Sequence, residues 1–324
     1  MTDFSSRRRR FLSEATLLAL GVPALSASWA GAARAAAART YVAGVYGLEL
    51  DGQFVGPLTG FLGGNTTADV VSEPAGPDLI QQKHPGPART EPITIECGLP
   101  MARTLYDWIK ASIEPGAKLP RKSGAIIEFD VSRKEMGRRV FTNAAITEVE
   151  FPACDGSAKD QARLAVTFAP DSVRLAASKG TVFPNQARQA WLRSNFRLQI
   201  QGLEQATTRV SKIEAIELKV APRAIQVPNL VITVADSSIA PFYGWLDDFL
   251  IKGNSRQERA GTLDYLTPDL RSTLVTLHFF NLGIVKAAPD AAGTADTIRR
   301  SRVEMYCEAL RADFSALEGR AKGV

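Results

Sequence analysis

Alternating apolar and polar residues mark a series of short strands, and two stretches at helical spacing mark helices. Tyr46-Gly47-Leu48-Glu49-Leu50-Asp51-Gly52 alternates and ends in a turn signal, so it predicts a strand entering a hairpin, with Phe54 to Phe61 as its mate. Ala68 to Glu73 predicts the next strand. Prolines 74, 77, 85, 87 and 92 then predict a loop from Glu73 to Pro92, because each lacks a backbone N–H donor. Ile93 to Cys97 predicts a strand. Leu105, Trp108, Ile109 and Ile113 fall on one helical face, opened by Pro100 and stopped at Pro115-Gly116. Ala125 to Val131, Arg138 to Phe151 and Gln161 to Ala169 complete a first set of strands. Residues 170–192 read as a connection.

The pattern then starts again. Phe196 to Gln201 and Leu230 to Val234 predict strands, with Val210, Ile213, Ile216, Leu218 and Val220 between them. Ile239, Phe242, Tyr243, Leu246 and Leu250 predict one helical stripe, with Asp236, Ser237 or Ser238 as its cap and Gly253 as its end. Leu274 to Ile284 and Arg302 to Glu308 supply the last strands. Local motifs recur in the same order. Phe141-Thr142-Asn143-Ala144-Ala145-Ile146 matches Phe279-Phe280-Asn281-Leu282-Gly283-Ile284, and Tyr106-Asp107-Trp108-Ile109 matches Tyr243-Gly244-Trp245-Leu246. Pro92-Ile93-Thr94-Ile95 matches Val231-Ile232-Thr233-Val234; Tyr46, Leu48, Leu50 and Gly52 match Phe196, Leu198, Ile200 and Gly202. The offsets are 141→279 = 138, 108→245 = 137, 95→234 = 139 and 52→202 = 150. The chain therefore reads as a tandem duplication, the first copy carrying about eleven extra residues in its proline loop. The expected fold is mainly β (α+β): two tandem small antiparallel β-barrel or sandwich domains, each with one flanking α-helix. The expected boundaries are a leader at 1–39, domain 1 at 40–180, a linker at 181–192 and domain 2 at 193–324.

The N-terminus changes the charge picture. Arg7-Arg8-Arg9-Arg10-Phe11-Leu12, the weakly apolar run from Ala15 to Ala30, and Ala33-Arg34-Ala35 resemble a twin-arginine (Tat) signal with its small-residue cleavage site. Residues 1–35 hold five arginines and two acids. Subtracting them from 39 basic and 34 acidic residues leaves 34 and 32, a net charge of +2 instead of +5. So weak a balance gives no reason to expect specific nucleic-acid binding. No stretch is long and apolar enough to expect a transmembrane anchor after cleavage. The expected location is periplasmic or exported by the Tat route, with a cytoplasmic or phage-particle-associated protein as the alternative. Cys97, Cys154 and Cys307 are scattered, form no C-x-x-C, and read as small core residues.

Chemistry is sparse. His84 and His278 lack a second histidine at metal-ligand spacing, and no G-x-S-x-G, Walker A or G-x-G-x-x-G occurs. Asp247-Asp248 reads as a solvated helix edge, and Glu128 and Asp130 as the water-facing side of a strand. Trp108 and Trp245 read as core anchors rather than a stacking pair for a ligand. Asn143 and Asn281 recur beside aromatic residues and read as hydrogen-bonded structural clamps. No catalytic, cofactor-binding or metal-binding residue is assigned, and no enzyme activity or cofactor is expected.

Leu50-Asp51-Gly52, Thr59-Gly60-Phe61-Leu62, Ile93-Thr94-Ile95, Tyr106-Asp107-Trp108, Phe141-Thr142-Asn143-Ala144-Ala145 and Val166-Thr167-Phe168, in that order, resemble the contractile-phage (T4-type) tail tube protein family. The resemblance covers most of residues 43–175 and, more faintly, 193–315. It implies a β-barrel with a flanking helix whose copies join edge to edge into rings around a lumen. Two units in one chain resemble tail hub proteins, which implies a trimer with pseudo-sixfold symmetry. The expected partners are the chain itself, as a ring-forming homo-oligomer, and other tail or baseplate-like proteins. The alternative is an exported two-domain β binding module that uses residues 74–91 for recognition.

Overall fold

The computed structural model describes residues 45–74, 81–99, 101–114, 116, 119–184, 191–254, 256–290 and 299–318. The Tat-like leader, Pro100, Pro115 and residues 185–190 of the expected linker lie outside them. In the first half the strands are β1 (Val45–Leu50), β2 (Gln53–Gly63), β3 (Thr66–Ser72), β4 (Lys83–Thr90), β5 (Ile93–Cys97), β6 (Arg121–Phe129), β7 (Glu135–Phe151), β8 (Cys154–Asp155), β9 (Leu164–Ala169) and β10 (Ser172–Ala177), with helix α1 (Arg103–Ser112) after β5. In the second they are β11 (Phe196–Ile200), β12 (Val210–Ile213), β13 (Ile216–Ala221), β14 (Ala224–Gln226), β15 (Leu230–Ala235), β16 (Arg259–Leu266), β17 (Thr273–Pro289) and β18 (Arg300–Asp313). Helices α2 (Glu204–Thr207), α3 (Ala240–Leu246) and α4 (Ser315–Glu318) accompany them.

The fold is mainly β. Strands β1, β2, β5, β9, β7 and β6 pair in that cycle, and β6 returns to β1, so the first half closes as a six-stranded barrel. Closure removes the free edges that an open sheet would expose. The second half pairs β11, β16, β17, β18, β15 and β12 in the corresponding order, but β11 and β12 do not meet. It is a half-barrel, open at the one seam that the first half closes through β1 and β2.

Register ties the two pairing schemes together. Gly124 lies opposite Leu50 and Phe141, and Gly261 lies opposite Ile200 and Phe279. A β-bulge falls at Leu58/Gly60 and again at Val210/Lys212; at Lys122/Gly124 and again at Arg259/Gly261; at Ile146/Glu148 and again at Ile284/Lys286. Bulges bend and twist a strand, so repeating them repeats the curvature. One sequence alignment needs correction. Ile95 pairs with Val166 as Ile232 pairs with Val303, so Ile95 corresponds to Ile232 and the offset there is 137, not 139. Two residues are one period of a strand, and Ile-Thr-Ile fits equally well when slid by one period. With Phe61 matched to Ile213, the surplus in the first half is (95 − 61) − (232 − 213) = 15 residues rather than eleven.

Asn143 and Asn281 make hydrogen bonds as expected, but at the surface, since both are exposed. Each is the ninth residue of a 17-residue strand and adopts positive φ, 52° and 54°. Asparagine tolerates this left-handed conformation, which L-residues generally avoid. Their amides donate to Asp171 and, at 2.7 Å, to Glu308. Asn143→Val and Asn281→Val should each cost about 1–2 kcal/mol in urea unfolding, while the Gly variants stay within about 0.5 kcal/mol. Equal losses for Val and Gly would show that the side chain, not the backbone, decides the residue.

Other corrections follow from packing. The stretch Glu73 to Pro92 is not all loop: Lys83–Thr90 is β4, paired with β3 in a separate two-stranded ribbon. Prolines 85 and 87 are tolerated because each ribbon strand has one unpaired edge, where a missing N–H costs nothing. The expected connection 170–192 contains strand β10, which pairs with the N-terminal half of β7. Asp236-Ser237-Ser238 forms a 3-10 turn with no side-chain cap; Asp236 accepts from Ser301 Oγ at 2.6 Å instead. The helical stripe is Ile239, Phe242, Trp245 and Phe249, whereas Tyr243 and Leu250 are exposed. A π-turn over Asp247–Ile251 shifts the face from the spacing of a regular helix. Gly253, at φ 76°, follows this turn as expected.

Candidate functional site

The residues with chemical potential do not converge. His84 stands on the β3–β4 ribbon, 3.6 Å from Glu73, whereas His278 is on β17 opposite Thr262 and Arg311. Among the described residues no three metal-ligating side chains cluster. Glu128 and Asp130 separate: Asp130 accepts the backbone N–H of Lys134 at 2.9 Å in a turn. Glu128 is exposed, as the alternation suggested, but at a barrel mouth and not on the outer wall. It shares the inner side of β6 with Ile126, at a barrel mouth of ≈ 360 Å³ lined also by Tyr46, Phe61, Arg139 and Leu175. On the opposite side of β6, Ala125, Ile127 and Phe129 are buried. Asp247 pairs with Lys252 at 2.8 Å, and Asp248 accepts from Asn254 at 2.8 Å. Cys97, Cys154 and Cys307 are free and buried; burial pushes the Cys97 and Cys154 thiols up to about 12 and Cys307 to about 11. They are inert by that shift. Trp108 and Trp245 are core residues, at 1% and 4% exposure.

Sequence reading missed a buried ion network. Arg138 and Glu135 lie on the outer wall of the barrel, roofed by residues Ser178 to Phe183. Arg138 Nε donates to Glu135 at 2.6 Å, and its Nη1 donates to Glu49 at 3.1 Å. The N–H of Thr181 donates to Glu135 at 2.9 Å. Burial alone would push the Glu135 carboxyl up; Arg138, the Thr181 hydroxyl and two backbone N–H groups together bring it down to about 2. Beside it, Phe183 wedges edge-on against Phe54 and Phe129, at 5.6 and 5.0 Å between ring centroids. The network fastens a strap to the barrel wall.

What stands out is how strands leave one half for the other. Strand β13 abandons its own half-barrel and pairs with the C-terminal part of β7, Ile216 opposite Phe151 and Leu218 opposite Val149. Ile216, Leu218 and Val220 are buried there, and β14 covers the far edge of β13. In return β8 pairs with β12, supported by the Asp155–Lys212 ion pair at 3.0 Å. The seam has an electrostatic cost. Burial and the facing Glu217 raise the carboxyls of Glu148 and Glu150 above their ordinary range. A contact kept despite that repulsion is held by its apolar face and its backbone ladder.

Other edges carry unpaired backbone among the described residues. One is β11, which has no strand partner on its open side there. Another is the β3–β4 ribbon, every residue of β3 being exposed, with Val70 at 69%. A lone two-stranded ribbon with its side chains in water gains little from folding by itself. Unpaired edges of this kind template strand addition.

No family model matches the chain, and no curated protein sequence does. Among solved structures, it is similar to a chain of the sheath–tube complex of an extracellular contractile injection system (PVC, extended state): 21% identity over 44% of this chain and 94% of that one, TM-score 0.38. It is similar to the tube-terminating cap of the anti-feeding prophage, with 19% identity over 50% and 97% and a TM-score of 0.37. It is also similar to Hcp1 from Flavobacterium johnsoniae, with 17% identity over 44% and 99% and a TM-score of 0.26.

Proposed function

We propose that this protein is a non-enzymatic structural subunit of the tail tube and hub type, a tandem duplication of one barrel unit that assembles into rings. The observation that carries the reading is the β13–β7 pairing, in which one unit extends the sheet of the next. Two units joined edge to edge by one rotation invite repetition, and repetition closes when the rotation divides a full turn. Three chains would supply six units, a trimer with pseudo-sixfold symmetry. The recurring bulges and the paired asparagines support the duplication, and the proposed domains are 40–180 and 193–324 with a linker at 181–192. The proposed location is outside the cytoplasm, behind the Tat-like leader at 1–39, and the proposed partners are further copies and tail or baseplate-like proteins.

The test is the mass of the leader-free chain by light scattering across a concentration series, with negative-stain images of the same sample. The expected result is a discrete oligomer of three chains with a central opening. A strict monomer at the highest attainable concentration overturns the reading.

A further inference from the structure

The β3–β4 ribbon and the β13–β14 hairpin occupy the same place in their respective halves. Each follows the strand that carries the recurring bulge, Leu58/Gly60 in β2 and Val210/Lys212 in β12, and each precedes the strand that leads into the helix, β5 or β15. One of the two is docked: β13 lies along Glu148 to Phe151 of β7. The other pairs with no strand outside its own ribbon among the described residues.

The docking edge also has a counterpart. The C-terminal part of β7 pairs with β9 on one side and accepts β13 on the other. In β17, Lys286 to Pro289 pair with β18 on one side, and β16 reaches only as far as Leu282. The remaining edge of Ile284 to Pro289 has no strand partner among the described residues, and Val285 is 39% exposed. Among the described residues, the two long strands β7 and β17 thus hold one filled and one vacant edge, and the two hairpins are one docked and one undocked.

The geometry points to a second copy of this chain as the occupant: the β3–β4 ribbon of one copy pairs antiparallel with the outer edge of β17 in the next, as β13–β14 does on β7 within the chain. This interface rests on the ring reading and names the surface that closes it. Its direction is consistent. The hairpin of the second unit docks on the first, and the ribbon of the first docks on the second unit of a neighbour, so every contact runs head to tail. The register carries across by arithmetic. Leu218 faces Val149; subtracting 152 (213 − 61) from 218 gives Thr66, and adding 138 (284 − 146) to 149 gives Ala287. Thr66 therefore faces Ala287, and Thr67 faces Lys286. The like-charged Glu217–Glu150 pair of the internal seam has no equivalent, because Asn65 and Ala288 stand in those places.

The test is a cysteine pair in the full chain, Thr66→Cys with Ala287→Cys. Directly opposed residues in an antiparallel ladder come within disulfide reach, and the three native thiols are buried. Oxidation should give covalent multiples up to the mass found by light scattering, reversed by reductant and absent from either single variant. A second variant excises 66–90 and joins Asn65 to Glu91 by Gly-Ser; the base is already closed by Glu91 N–H donating to Asn65 O at 2.9 Å. That variant should run at the mass of one chain with unchanged thermal stability. If the wild type forms rings but the pair gives no cross-link and the excised chain still assembles, the ribbon assignment fails and the ring reading stands. A cross-link confined to single chains overturns it as well, and a wild type that never self-associates overturns both.

Discussion

Arg138→Ala should destabilise the protein by about 3–5 kcal/mol, read from the urea midpoint with an unchanged slope. The guanidinium side chain is 1% exposed and the Glu135 side chain 0%. Truncation would leave Glu135 buried and charged, with the Thr181 N–H and hydroxyl but no cation, and would leave Glu49 without its buried partner. The strap from Ser178 to Phe183 should loosen with it, exposing Phe54 and Phe129, because the same carboxylate holds both Arg138 and the strap backbone. The pH dependence carries a sign. The Glu135 carboxyl is lowered in the folded state from 4.5 to about 2, so the unfolded chain binds the proton more readily. Its contribution, on the order of 3 kcal/mol, is fully present above about pH 5 and is lost as pH falls towards 2. Glu135→Gln should flatten that part of the stability profile. Asp155, held at about 2 first by Ser157 and further by Lys212, leaves a residual slope. A Gln variant with the wild-type profile between pH 5 and 2 would show that Glu135 is not the group that titrates there.

Trp108→Ala should cost about 3–5 kcal/mol, and Trp108→Phe should keep part of that loss. The indole is 1% exposed, lies 5.5 Å from the Phe168 ring, and donates Nε1–H to Pro120 O at 3.0 Å. It anchors α1 against the barrel core, so the Ala variant opens a cavity beside Phe168. The corresponding Trp245 behaves differently. Its Nε1 finds no acceptor among the described residues, and Arg259 covers its ring at 4.7 Å. Trp245→Phe should therefore be nearly neutral, since no donor is lost, whereas Trp108→Phe loses about 1 kcal/mol with its hydrogen bond. Equal effects of the two Phe variants, measured side by side by thermal unfolding, would contradict this difference.

Much of the fold was legible along the chain because strand alternation and helix spacing are local. Leu48 and Leu50, Ile93 and Ile95, and Val166 and Phe168 alternate inward as their pattern requires, and α1 buries Leu105, Trp108 and Ile109. The Phe-x-Asn repeat pointed to equivalent positions, but for a reason that sequence did not expose. The asparagines are needed for positive φ at a bend in a long strand, not for a buried bond. The candidate interface was less legible. Nothing in Ile216 to Ala221 distinguishes a strand that stays in its own half from one that crosses, because the inward pattern is the same in either place. The Arg138–Glu135 pair carried no signal along the chain, since only the returning strap buries it. Glu128 was legible as water-facing but not as mouth-lining, because alternation separates two sides of a strand without saying which is inside.

The amino-acid sequence by itself determined the mainly β class, the order of elements, the single helix after the middle strand of each half, and the recurrence of one pattern. These follow from short-range periodicity and turn chemistry, which neighbouring residues impose on one another. The tertiary structure alone decided that the first barrel closes and the second stays open, that β13 changes halves, and that the prolines at 85 and 87 sit in a paired ribbon. Those outcomes depend on which backbone edge finds a partner. Edge pairing joins residues as far apart as Glu148 and Lys219, and every backbone offers the same donors and acceptors, so no local residue pattern specifies it.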